Sequence, residues 1–184
     1  MGKLYDALDD SLRSFLSAQH IFFVSTAPSG GDGHVNCSPK GLDTFRILGS
    51  NTVAYLDFVG SGVETIAHLR QNGRIVLMFC AFEGPPRIVR LHGKGTVIEP
   101  AEPEFESLAP HFDGAREHGV RAIIRVSVTR IGDSCGYGVP RYRYEGQREQ
   151  LALWARRKTP EAMAEYRRKK NAASIDGLEG LRDP

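Results

Sequence analysis

Five segments rich in Val, Ile, Thr and aromatic residues, 21–27, 52–58, 74–82, 87–98 and 120–131, succeed one another with no long helix between most of them. Such residues fit a pleated, half-buried surface. Strands joined by short connections pair antiparallel, because a parallel pair needs a crossover of a dozen or more residues. Pro28-Ser29-Gly30-Gly31-Asp32-Gly33 is a turn that leads into 34–38 as the returning half of a hairpin, and Gly93 and Gly95 interrupt the fourth segment. The order predicts an α+β, mainly β protein: an antiparallel barrel with helices added at its ends rather than a doubly wound sheet.

Helical spacing is confined to short stretches. Leu4, Leu8, Leu12, Phe15 and Leu16 predict a first amphipathic helix, with Asp6, Asp9 and Asp10 where carboxylates complement the helix dipole. Ile66, Leu69 and Arg70 predict a short helix that begins after Gly60-Ser61-Gly62 and closes at Asn72-Gly73. Another is predicted over 103–108, and two more over 150–158 and 160–171, where Pro160 takes a first-turn position that its missing N–H does not harm.

A chain of 184 residues, 41% hydrophobic and 25% charged, predicts one domain spanning 1–184 and excludes disordered, collagen-like and helical membrane-spanning classes. The formal charge of +2 predicts neither nucleic acid nor an anionic membrane as partner. Met1-Gly2-Lys3-Leu4 has no apolar segment behind its positive charge, and the three cysteines form no C-x-x-C pair. Both features predict a reduced, cytoplasmic protein.

Several stretches are candidates for chemistry. Gly60-Ser61-Gly62-Val63-Glu64-Thr65 joins a strand to a helix, so its N–H groups can hold a phosphate. Ser61 and Glu64 also have the spacing of a capping box, which would satisfy the same groups internally. Lys40, in Ser38-Pro39-Lys40-Gly41, either aims a charge at a phosphate or is an ordinary surface lysine. Arg87 and Arg90 in an apolar strand need a carboxylate or a ligand phosphate. The glycines of Ser134-Cys135-Gly136-Tyr137-Gly138-Val139-Pro140 suit a flat ligand or a tight turn, and nothing lowers the Cys135 thiol to make it a nucleophile. The histidines have no zinc spacing, so no metal is expected. Arg156-Arg157-Lys158 and Arg167-Arg168-Lys169-Lys170 read as solvated helix faces.

Taken in order, His34 to Gly41, Val53 to Asp57, Gly60 to Leu69 with Asn72-Gly73, and Phe79 to Gly93 resemble the pyridoxamine 5′-phosphate oxidase-like family of FMN-binding split barrels. The resemblance covers about residues 20–135, and the tail, with Ser134 to Pro140 and Lys170 to Leu178 and a helical extension over about 147–184, is similar to one branch of that family. It implies a split β-barrel and a homodimer with FMN at its interface. It further implies a flavin-dependent oxidoreductase acting on a small molecule, its catalytic residues unassigned. Val35, Asn36, Cys37 and Ser38 match the strand along the flavin, Lys40 the phosphate-binding lysine, and Tyr55, Leu56 and Asp57 the strand before the phosphate turn. Where the authentic oxidases carry Arg-Lys, this chain has Glu64-Thr65, which leaves Ser61, Gly62, Thr65, Lys40 and Arg87 for the phosphate, with Glu64 turned into the capping box. The family's Trp and Arg-His-rich C-terminus is replaced by the 151–171 helices, in which Trp154 reads as a packing residue. The same barrel is compatible with a flavin-binding or sensing protein without turnover, or with haem or a deazaflavin as ligand.

Overall fold

The computed structural model describes residues 2–182. Its strands are β1 (Leu4–Tyr5), β2 (Phe22–Thr26), β3 (Asn36–Lys40), β4 (Phe45–Ile47), β5 (Thr52–Phe58), β6 (Arg74–Cys80), β7 (Ile88–Ile98) and β8 (Val120–Ser134). They form one antiparallel sheet in the order β3-β2-β6-β7-β8-β5-β4, with β1 added to β8. Both edge strands belong to neighbouring pieces of chain, since only Gly41 to Thr44 separates β3 from β4. The sheet therefore rolls until its edges approach without a ladder between them, which is a split barrel.

The barrel is filled from several sides. Phe22 stacks on Phe79 with ring centroids 5.3 Å apart and meets the edge of Tyr55 at 5.6 Å. Leu12 and Leu16 from α1 (Asp10–Ser17) and Ile66 and Leu69 from α2 (Glu64–Asn72) close the same core. Burial of each such side chain contributes about 1.5–3 kcal/mol. A second cluster lies on the outer face of β5, β7 and β8, where Ala54, Leu56, Ile98 and Ile123 are covered by Phe105 of α3 (Pro103–Leu108) and by Phe112. Two helices, α4 (Gln150–Arg156) and α5 (Pro160–Asn171), form a small third cluster around Val59, Ala155 and Met163. Trp154 packs edge-on against Tyr166 at 5.0 Å, as a packing residue should. No helix among the described residues is long and apolar enough to cross a membrane.

Some elements differ from the sequence expectation. Leu4 and Tyr5 pair with Gly132 and Ile131 instead of opening the helix, which starts at Asp10 because Asp9 caps it by accepting from Leu12 N at 2.8 Å. The first strand begins at Phe22 and the returning hairpin strand runs over Asn36–Lys40. The apolar run after α2 ends as strand at Cys80. β8 runs on to Ser134 because its far half still finds β7 as partner, across a bulge at His92/Gly93. The short β4 carries no periodic signal of its own. α2 ends where expected, with Gly73 in the left-handed region at φ 70°.

Candidate functional site

Strand period places Asn36, Ser38 and Lys40 on one face of β3, turned toward β5 and the start of α2. Lys40 Nζ donates to Asp57 Oδ1 at 2.6 Å, and Arg121 Nε donates to Asp57 Oδ2 at 2.7 Å. Arg121 also donates to the Gly62 carbonyl at 2.8 Å, tying β8 to the turn before α2. Asp57 is fully enclosed. Burial acts to raise its carboxyl, but the charges and hydrogen bonds of Arg121 and Lys40 outweigh that and hold it at about 2. Two cations against one carboxylate leave the group with a net charge of about +1.

Beside this group runs a chain of hydrogen bonds. Ser38 Oγ donates to Asn36 Oδ1 at 3.1 Å, and Asn36 Nδ2 donates to Thr65 Oγ1 at 2.9 Å. Thr26 Oγ1 lies 2.9 Å from Nδ1 of the buried His68, whose Nε2 has no partner among the described residues. Burial pushes the His68 imidazole below its ordinary value, against the opposing charges of Asp176 and Glu64. The hydroxyl of Tyr55 is likewise enclosed without a partner among the described residues, and burial, with Asp57 nearby, raises it well above its ordinary value.

The turn before α2 departs from the expected capping box. Val63 is the N-cap, and no side chain caps the helix. Glu64 instead folds its carboxylate back over Gly62 and accepts from Ile175 N at 3.4 Å. No side-chain cap takes up the first-turn N–H groups of α2, and the Glu64 carboxylate lies over the turn beside them. The reason is the C-terminal segment: Gly180 N and Leu181 N bond back to Ala172 and Asn171, Asn171 Nδ2 donates to the Gly60 carbonyl at 3.0 Å, and Arg70 Nε donates to the Gly180 carbonyl at 2.7 Å. Asp176 accepts from His34 N at 2.8 Å and pairs with His34 Nδ1 at 2.6 Å. The tail is a clasp over α2 and the start of β3.

Of the residues expected to hold a cofactor, Asn36, Ser38, Lys40, Tyr55, Asp57, Gly62 and Thr65 converge here. Val35 and Cys37 face the opposite side of β3 and are exposed, and Ser61 is exposed on the turn. Leu56 faces the outer cluster. Arg87 requires a correction. Its Nη2 donates to Tyr5 Oη at 3.0 Å and to Asp133 Oδ2 at 3.2 Å, with the guanidinium over the Phe15 ring, which places it with β1 and β8. Arg90 donates to Ser134 Oγ at 3.1 Å. Arg121, which sequence reasoning missed, is the second cation. The argument applied to Arg87, an arginine inside an apolar strand, holds equally for Val120-Arg121-Ala122-Ile123-Ile124.

The fold thus sets an edge strand with a polar inner row beside the start of α2 in a split barrel. Comparison with known proteins gives the family. The family model for pyridoxamine 5′-phosphate oxidase matches residues 8–135. The pyridoxamine 5′-phosphate oxidase family protein ustO of Aspergillus flavus is 38% identical over 196 aligned residues, covering 98% of this chain and 78% of the relative. Among solved structures, HupZ of Group A Streptococcus has a TM-score of 0.54 at 20% identity, over 67% of this chain and 90% of its own. A Lactobacillus delbrueckii protein named after pyridoxamine 5′-phosphate oxidase has a TM-score of 0.53 at 13% identity, over 70% of this chain and 98% of its own. The chain belongs to the pyridoxamine 5′-phosphate oxidase family.

The clasp carries its own prediction. The hydrogen bonds from His34 hold the Asp176 carboxyl below its ordinary value of 3.8. A carboxyl that titrates lower in the folded state stabilises it fully above 3.8, and the contribution disappears as pH falls through its folded value. Hydrogen exchange of 172–182 is expected to accelerate in Asp176→Asn at pH 7, and in the wild type only under acid. Unchanged exchange in the variant would show that the tail holds without this pair.

Proposed function

We propose that the protein binds FMN in the cleft between β3 and α2 and acts as a flavin-dependent oxidoreductase on a small organic substrate. The observation that carries this reading is the inward row Asn36, Ser38 and Lys40 on an edge strand, facing the uncapped start of α2. The donor set fits the cofactor. Lys40 and the first-turn N–H groups of α2 suit its phosphate, with Ser38 beside them. Glu64, which would repel a phosphate, is committed to the helix dipole and to Ile175 N. The free edge of β3 offers backbone N–H and C=O groups to a flat heterocycle with polar edges. When bound, FMN supplies the two-electron redox chemistry. Asp57 holds Lys40 and Arg121 in place, Arg121 fixes the turn through Gly62, and Tyr55 with the barrel core keeps water from beneath the site.

The same reading includes a homodimer with FMN at the interface, supported by Val35, 75% exposed just ahead of β3, and Ile175, 69% exposed on the clasp. A reducing, cytoplasmic setting accords with Cys37, Cys80 and Cys135 all being free thiols.

Titration with FMN, followed by quenching of flavin fluorescence, tests the site. Lys40→Ala is expected to weaken binding about tenfold, the worth of one charge-assisted contact. Arg87→Ala should leave affinity within about twofold, since its partners are Tyr5 and Asp133. The reverse order would move the phosphate to the other end of the barrel.

A further inference from the structure

At the C-terminal end of β3 the polar row gives way to an open groove of about 1000 Å³. Its floor includes His20 and Pro39 to Leu42, and its far wall is the irregular segment 142–148. This strap has no regular structure, yet it is tied down at both ends. Tyr142 N donates to the Phe82 carbonyl at 3.1 Å, and the Gln147 side chain accepts from Leu42 N at 3.1 Å. Between these points Tyr144 stacks on His20 at 3.6 Å with an interplanar angle of 13°. Tyr142 and Tyr144 are held at the surface, 63% and 39% exposed.

Two arginines and one carboxylate stand on the groove lining, so positive charge predominates there. Arg143 and Arg148 line the groove with no ion-pair partner among the described residues, with Glu83 on the same lining and Glu145 and Glu149 beside them in the chain. The turn that forms the floor is strained: Leu42 and Asp43 both adopt left-handed backbone, at φ 61° and 52°, a conformation that costs a bulky residue energy and recurs at ligand sites. Aromatic walls, unpaired guanidinium groups and a rigid, prestrained floor make a site for a molecule that is flat, apolar in body and negatively charged.

We propose that this groove is the binding site for an aromatic organic anion larger than a single ring, which is the substrate of the reaction. The assignment as substrate rests on the FMN reading, because Pro39 and Lys40 belong both to the groove and to the strand along which the flavin would lie. The assignment as a binding site does not.

Two fluorescent probes on the full-length protein test it: 8-anilinonaphthalene-1-sulfonate, and N-phenyl-1-naphthylamine, the same ring system without the sulfonate. The sulfonate is expected to bind more tightly than the neutral probe. An Arg143→Ala, Arg148→Ala double variant should weaken the sulfonate about tenfold and leave the neutral probe unchanged, whereas Tyr144→Ala should weaken both. Saturating FMN should leave the sulfonate bound. Equal binding of the sulfonate to the double variant would overturn the proposal, as would displacement of the probe by FMN, which would make the groove part of the cofactor's own site. Failure of the sulfonate to bind would overturn the proposal, and a dimer found by sedimentation would then turn the reading of this face to self-association. If FMN itself does not bind but the arginine-dependent sulfonate site persists, the flavin reading fails and the binding site stands.

Discussion

Asp57→Asn is expected to lower folding stability by about 3–5 kcal/mol, the cost of leaving a buried cation without its partner. Arg121 is 5% exposed and Lys40 is 20% exposed at the side chain, so neither charge can recover full hydration once the carboxylate is gone. Lys40→Met leaves the Asp57 pairing with Arg121 intact and should cost only about 1 kcal/mol, the net worth of one hydrogen bond. Urea unfolding followed by circular dichroism separates the two variants. The pH dependence has a defined sign: the folded carboxyl sits at about 2 against an ordinary 3.8. Its contribution, on the order of 2 kcal/mol, is complete above 3.8 and is lost as pH falls toward 2. The acid limb of the stability curve should therefore flatten in Asp57→Asn. A variant whose midpoint matches the wild type at pH 7 would mean that Arg121 and Lys40 relax into water, and that the cleft is not held by this carboxylate.

Gly180→Ala is the second large effect. A Cβ at this position would overlap the Asn171 carbonyl oxygen and lie 2.8 and 3.0 Å from the two Val63 methyl carbons. Neither neighbour can yield easily, because Asn171 is buried and its side chain holds the Gly60 carbonyl, while Val63 caps α2. The expected cost is about 1–3 kcal/mol, as for other overpacked sites. FMN affinity should fall several-fold with far-ultraviolet circular dichroism unchanged, because the displaced segment carries the Ile175 N–H that bonds the Glu64 carboxylate and offsets part of its charge beside the anion site. Undiminished affinity in a variant with a loosened tail would show that Glu64 finds another partner.

The two variants probe contacts that differ in how they arise from sequence. The strands were legible because their signals are local: β-branched runs and the glycine- and proline-rich turn at 28–33 read the same way in any context, although β7 runs on through Gly93 and Gly95 across a bulge. The α2 helix was legible at both ends for the same reason, as was α3. The first helix was misread over Leu4 and Tyr5 because apolar residues four apart satisfy a helical spacing whether or not the chain is helical there. At that point β8 offered a ladder, and the ladder prevailed.

Within the site, Lys40, Asp57 and Thr65 could be named from the order of motifs along the chain. Their partners could not. Arg121 reaches Asp57 across 64 positions, and Asp176 reaches His34 across 142. No spacing rule extends over such separations, and a charged residue in a strand announces only that it needs a partner. Arg87 and Arg121 made that same announcement, and sheet order decided between them: β8 brings Arg121 beside β5, while the end of β7 brings Arg87 beside Asp133 and Tyr5. The capping box failed on similar grounds. Ser61 and Glu64 have the right spacing, but the C-terminal clasp supplies Ile175 N to the carboxylate and competes for it. Sequence alone determined the long strands, the helices from α2 onward and the turns between them, since backbone sterics and hydrophobic period act over a few residues, whereas Leu4–Tyr5, β4 and the far half of β8 became strand only beside a partner strand. The tertiary fold alone decided which charges meet and which helix start stays open, because electrostatic pairing acts through space between segments that only folding makes neighbours.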